Sequence, residues 1–117
     1  MANDRLERFR TELIGRQVTD TQVDEEGIGL AFEGNWNLAI WGAAKLTDGG
    51  ALVDISNIAR LKRLVLKEFV GDSREEHLVF DAVPQIELIV SLGSESQKAP
   101  ESMALYGPNN YIVVWND

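Results

Sequence analysis

In the run Ile28–Trp41 (IGLAFEGNWNLAIW), apolar side chains fall on alternate residues. Ile28, Leu30 and Phe32 point one way and Gly29, Ala31 and Glu33 the other; after Gly34-Asn35, Trp36, Leu38 and Ile40 resume the apolar side. Period two is the signature of a pleated strand, and Gly-Asn supplies the turn, so this stretch predicts a β-hairpin. The pattern then returns. Leu78 and Phe80 alternate, the chain breaks at Ala82–Pro84, and Ile86, Leu88 and Val90 alternate again. A chain that writes the same hairpin twice is constrained to an antiparallel β architecture made from a repeated unit.

The rest of the chain fits around these hairpins. Asp4 and Glu7 have the spacing of a helix start, and Leu6, Phe9, Leu13 and Ile14 form one helical stripe, which predicts a helix over 4–14 ending at Gly15. Arg16–Val23 predicts a strand and 24–27 a turn; the second strand of the first hairpin is free to run on to Ala44 or Leu46. Thr47–Gly50 is a turn, Ala51–Ile55 a short strand, and Ser56-Asn57 the cap of a short helical turn carrying Ile58 and Leu61. Val65–Val70 follows as a strand, Gly71–Glu76 as an acidic turn, then strands His77–Asp81 and Gln85–Leu92. Gly93–Pro100 is the most loop-like segment, and Ser102–Tyr106 with Tyr111–Trp115 forms a closing hairpin.

Offsets make the repeat explicit. Val18 and Val23 match Val65 and Val70 47 residues on; Leu30 and Phe32 match Leu78 and Phe80 at 48; Leu38 and Ile40 match Leu88 and Val90 at 50; Ala51–Asp54 matches Met103–Tyr106 at 52. The expectation is a single domain over 1–117, made of two repeats (about 4–55 and 56–107) and a C-terminal strand. Its fold class is mainly β with one N-terminal helix (α+β): an internally duplicated antiparallel barrel or two-layer sheet of about nine strands with pseudo-twofold symmetry. Ala31, Ala39, Trp41, Val79 and Ile89 lie on the second side of their strands, and Tyr111–Trp115 is apolar on both sides. A half-exposed sheet carries polar residues there, so the N-terminal helix or a second subunit is expected as cover, and a homodimer or larger homo-oligomer with it.

Composition removes several function classes. Nineteen acidic against eleven basic residues give a net charge of −8, a poor surface for nucleic acid or anionic membrane, and one that permits a basic protein partner. There is no cysteine, which excludes disulfides, thiolate metal sites and a cysteine nucleophile. The first residues, MANDRLERFR, lack the apolar core of a secretory signal, and no apolar run is long enough to span a bilayer. A cytoplasmic location is expected.

Catalytic signals are missing. His77 is the only histidine, and beside Glu75 and Glu76 it reads as solvated; no nucleophile elbow, phosphate loop or zinc-binding helix motif is present. Gly27, Gly29 and Gly34 fall on a hairpin and are read as turn and packing residues. Glu33 with Asp81, or the two acidic turns, could pair carboxylates, though carboxylates at turns are ordinarily hydrated. No cofactor and no metal are expected, and the chain is not expected to be an enzyme. The candidate partner-binding residues are Asp24, Glu25 and Glu26 in one acidic turn, Asp72, Glu75 and Glu76 in the other, and Trp41 and Trp115, whose faces are ambiguous. Trp36 is placed in the core.

The runs Leu13-Ile14-Gly15-Arg16-Gln17-Val18, Leu30-Ala31-Phe32-Glu33-Gly34 and Pro100-Glu101-Ser102-Met103-Ala104-Leu105-Tyr106-Gly107-Pro108 resemble a group of small uncharacterised bacterial β-rich proteins, some of them regarded as immunity proteins beside polymorphic toxins. The resemblance implies a bacterial cytoplasmic protein that binds another protein, and no catalytic residues. A protein-binding module for a basic partner, immunity-like or regulatory, is therefore the leading expectation. A small-molecule-binding barrel with its cavity around Trp36, or an oligomeric structural protein, is the alternative.

Overall fold

The computed structural model describes residues 4–41, 43–71, 75–91 and 101–116. Helix α1 (Asp4–Leu13) buries Phe9 and Leu13 completely, and Gly15 follows it at φ +92°, a left-handed conformation that suits glycine. Among the described residues ten strands follow: β1 (Val18–Val23), β2 (Ile28–Phe32), β3 (Trp36–Ile40), β4 (Ala44–Asp48), β5 (Ala51–Val53), β6 (Leu66–Gly71), β7 (Glu75–Phe80), β8 (Ile86–Ser91), β9 (Glu101–Gly107) and β10 (Tyr111–Asn116). Between β5 and β6 lies a 3₁₀ helix, Ile55–Leu61. Its cap is Asp54 rather than the expected Ser56: the Ser56 N–H donates to Asp54 Oδ1 at 2.8 Å, which holds that carboxyl below its usual range.

The strands form two five-stranded antiparallel sheets, ordered β1-β2-β3-β9-β10 and β5-β4-β8-β7-β6. Among the described residues the ladders do not close into a barrel, so of the two expected architectures the layered one forms. The first hairpin does not run on to Ala44 or Leu46. After Ile40 the sequence Gly42-Ala43-Ala44 offers no large side chain to continue the alternation, and the chain leaves the first sheet to pair β4 with β8 in the second. The predicted loop Gly93–Pro100 lies outside the described residues.

Each sheet contains a meander of three consecutive strands, and each is completed by a hairpin from the other half of the chain. β9–β10 joins β3, and β4–β5 joins β8. The registers also correspond. Val18 faces Phe32 and Leu66 faces Phe80; the next pairs are Asp20 with Ala31 and Glu68 with Val79, each after a bulge. The two halves meet at an isolated antiparallel bridge between Gln17 and Val65, flanked by Val18 N–H to Leu64 O (2.8 Å) and Leu66 N–H to Arg16 O (3.0 Å). In these ladders Leu66 faces Phe80 as Val18 faces Phe32, and β9 pairs with β3 as β4 pairs with β8. Where the first half turns at Gly15, the second turns at Arg63, with φ +74°.

Between the sheets, Phe9, Phe32, Phe69 and Phe80 lie in one core with Leu30, Leu38, Leu46, Leu78 and Leu88. Phe9 and Phe69 meet edge to face, centroids 6.4 Å apart, which docks α1 on β6. Trp36 is core, as expected. Its indole meets Tyr111 edge-on at 5.2 Å and carries the Arg16 guanidinium 5.3 Å above its ring. A Cβ on Gly107 would lie 2.8 Å from Trp36 Cε3. The indole is 7% exposed.

Candidate functional site

The outward residues of the first sheet form two rows across its strands. One row is Asp20, Ala31, Asn37, Tyr106 and Ile112; the next is Gln22, Gly29, Ala39 and Ala104. The second row has almost no side chain. A hollow of about 300 Å³ results, floored by Gly29, Ala31 and Ala39 and bounded by Asp20, Thr21, Gln22, Asn37 and Tyr106. A second hollow of about 150 Å³ adjoins it, shares Gln22 and Gly29, and is bounded by Asp24, Glu26 and Trp41. Ala104 closes the β9 end, fully buried.

Two glycines here have different reasons. A Cβ on Gly27 would overlap the Ile40 carbonyl oxygen, so close backbone approach requires that glycine. Gly29 has no such need. Its φ is not positive, and among the described residues a Cβ would meet only Gln22 Cβ, at an ordinary 3.8 Å. The acidic border is set by Asp24, whose Oδ1 accepts from Glu26 N–H (2.8 Å) and Gly27 N–H (3.1 Å), fixing the turn and turning its carboxylate inward on its own backbone. Asp20 accepts from Thr21 N–H and lies 3.6 Å from Lys62 Nζ; both side chains are largely exposed, so the pair holds little.

The second sheet offers the same positions in a different state. Its rows read Glu68, Val79, Glu87, Thr47 and Leu52, then Val70, His77, Ile89 and Lys45. His77 stands where Gly29 stands. Its Nδ1 contacts Glu87 Oε1 and its Nε2 lies 3.1 Å from Glu75 Oε1, and these carboxylates raise the imidazole pKa above the ordinary 6.5. The lone histidine is thus clamped between strands, not simply solvated.

The candidate residues therefore separate. Asp24, Glu26 and Trp41 meet at the hollow, and Glu25 is exposed on the same turn. Glu75 and Glu76 do not belong to a turn, because β7 begins at Glu75. Glu75 serves His77. Glu76 is fully buried, its Oε1 3.0 Å from Arg10 of α1, and Arg10 Nε donates to the Phe69 carbonyl at 2.6 Å. Glu76 is corrected from a surface contact to an internal tie of α1 to β6–β7: alternation places it inward, at the position of Ile28 in the first sheet. Asp72 and the side chain of Trp115 lie outside the described residues. Asp20, Gln22, Gly29 and Tyr106 were not anticipated; the available signal was the small residues Gly29, Ala31 and Ala39 on one outward side.

Among the described residues no group of three His, Asp or Glu side chains is placed to hold a metal ion. Glu33 and Asp81 flank the Gln17–Val65 bridge from opposite sides, their N–H groups donating to Gln17 O and Val65 O, so two strands separate them. No described helix is long and apolar enough to cross a membrane. Compared with known proteins, the chain matches no family model, no curated protein and no solved structure.

Proposed function

We propose that the protein is a non-enzymatic binding module, immunity-like or regulatory, that engages a basic protein partner through the outer face of its first sheet. One observation carries this reading. Positions that the second sheet fills with Val70, His77, Ile89 and Lys45 are held in the first by Gln22, Gly29, Ala39 and Ala104, beside an acidic turn. The corresponding registers, the paired bulges and the antiparallel bridge between Gln17 and Val65 further support a duplicated unit with pseudo-twofold symmetry, in which one face kept its filling and the other became a docking surface.

The test is charge reversal at Asp20, Glu25 and Glu26, leaving Asp24 to hold its turn. Association with a basic candidate, such as the product of an adjacent gene, is followed by stopped flow. The on-rate is expected to fall about tenfold or more, and the wild-type rate to drop as salt rises. An unchanged on-rate overturns the proposal. A second reading is association of two copies, favoured by Tyr106 and Ile112, adjacent in register and 38% and 58% exposed. Light scattering that gives a monomer mass across working concentrations removes it.

A further inference from the structure

We infer that the hollow centred on Gly29 seats a planar cation, an arginine side chain of the basic partner, in the place where the second sheet carries its own His77. This rests on the reading of the first sheet's outer face as a docking surface and names what enters it.

The first support is the glycine itself. In mid-strand, glycine costs about 0.5–1 kcal/mol relative to alanine. At Gly27 steric need explains it; at Gly29 nothing among the described residues does, since a Cβ there meets none of their atoms closer than 3.8 Å. A strand glycine without an internal reason marks a place where another group approaches the backbone closely.

The second support is internal. At the corresponding position, this fold holds a flat nitrogen heterocycle over the sheet, gripped from both sides by Glu75 and Glu87. Around Gly29 the corresponding neighbours are Asn37 on one side and the Asp24–Glu26 turn on the other, with Gln22 shared by both hollows. Asp24 is held by its own turn and by Gln22 Nε2, so the acceptors offered are the Glu26 carboxylate and the amide oxygens of Asn37 and Gln22, and a guanidinium suits them better than an ammonium. It is flat enough to lie on a floor of Gly29, Ala31 and Ala39. Its five N–H donors diverge in a plane toward amide and carboxylate oxygens, and Tyr106 offers a ring for stacking at the edge. Lysine brings the same charge without that geometry.

The experiment uses the full chain and two dye-labelled, end-blocked hexapeptides of alternating glycine with arginine or with lysine, read by fluorescence anisotropy at low salt. The arginine peptide is expected to bind about tenfold tighter, equivalent to about 1.4 kcal/mol. Gly29→His, which copies the second sheet, and Gly29→Val, which fills the space without a ring nitrogen, are each expected to weaken the arginine peptide about tenfold while keeping the thermal transition. Equal affinity for both peptides, or arginine binding undiminished in both variants, overturns the inference. If both variants keep the peptide while reversal at Glu25 and Glu26 still slows a basic partner, the inference falls and the docking surface stands. If neither kind of change has an effect, both fall.

Discussion

The two sheets share a meander, a bulge position and a swapped hairpin, yet their outer faces end in opposite states. In the second sheet Val79 is buried on the outer side, and His77 is locked between Glu75 and Glu87. In the first, the same rows are reduced to glycine and alanine beneath a rim of Asp20, Gln22, Asn37 and Tyr106. One frame, two surfaces: both outer faces stay partly exposed, with Leu52 and Val70 of the second at 69% and 50%, and the side chains decide that the first carries the hollow around Gly29.

The inward side of the same strands breaks the correspondence most sharply, at Ile28 against Glu76. Arg10→Ala removes the guanidinium from a fully buried carboxylate, and the loss is expected near the scale of about 3–5 kcal/mol for breaking a buried pair, reduced because Arg10 is part-exposed. Urea unfolding measures it. The double change Arg10→Met with Glu76→Ile, which copies the first sheet, is expected to recover most of that stability. A double variant as unstable as Arg10→Ala would mean that the pair does more than fasten α1.

The two glycines of β2 and its turn come next. Gly27→Ala is expected to destabilise by about 1–3 kcal/mol, because its methyl group collides with the Ile40 carbonyl. Gly29→Ala is expected to do the reverse, stabilising by up to about 1 kcal/mol as the strand loses its glycine. Equal losses at both positions would show that Gly29 is needed by the fold and would remove the contrast between the faces.

The second sheet's outer face should also carry a pH signature. The His77 pKa is raised in the folded state, so the stability it contributes is fully present below about 6.5, its unfolded value, and is lost as pH rises through the higher folded value. The groups facing it are Glu75 on its own strand and Glu87 on β8, with Lys45 on β4 beyond Ile89 and Val70 opposite on β6. Thermal midpoints from pH about 5 to 9 should show this fall in the wild type, and His77→Gln should flatten it. The effect is the smallest of the three, since the ring is partly exposed.

Most of the fold was legible because period-two alternation places residues inward or outward without regard to tertiary detail: Leu30, Leu38, Leu78 and Leu88 all lie where alternation puts them. What alternation does not encode is which sheet a strand joins. The chain between β3 and β4 looks in sequence like a continuation of β3, and period two alone does not separate the two strands. Of the site, Asp24, Glu26 and Trp41 were visible as charge and aromatic signals. Gly29 reads in sequence as a packing residue, and Ala31 and Ala39 as an outer side that calls for cover, because a hollow is an absence shared among strands distant in the chain. Glu76 misled for the opposite reason: in an acidic run it looks solvated, and only its partner Arg10, remote in sequence, allows it inside.

The claim that the first sheet's outer face is the docking surface is tested most directly by mapping backbone amide shifts of the full chain on titration with a blocked oligoarginine hexapeptide. The account predicts that the shifts gather at Gln22, Gly29, Ala31, Asn37 and Ala39 and leave Val70, His77, Ile89 and Lys45 unmoved. Shifts gathered on the second sheet, or spread evenly over every acidic surface, would contradict it.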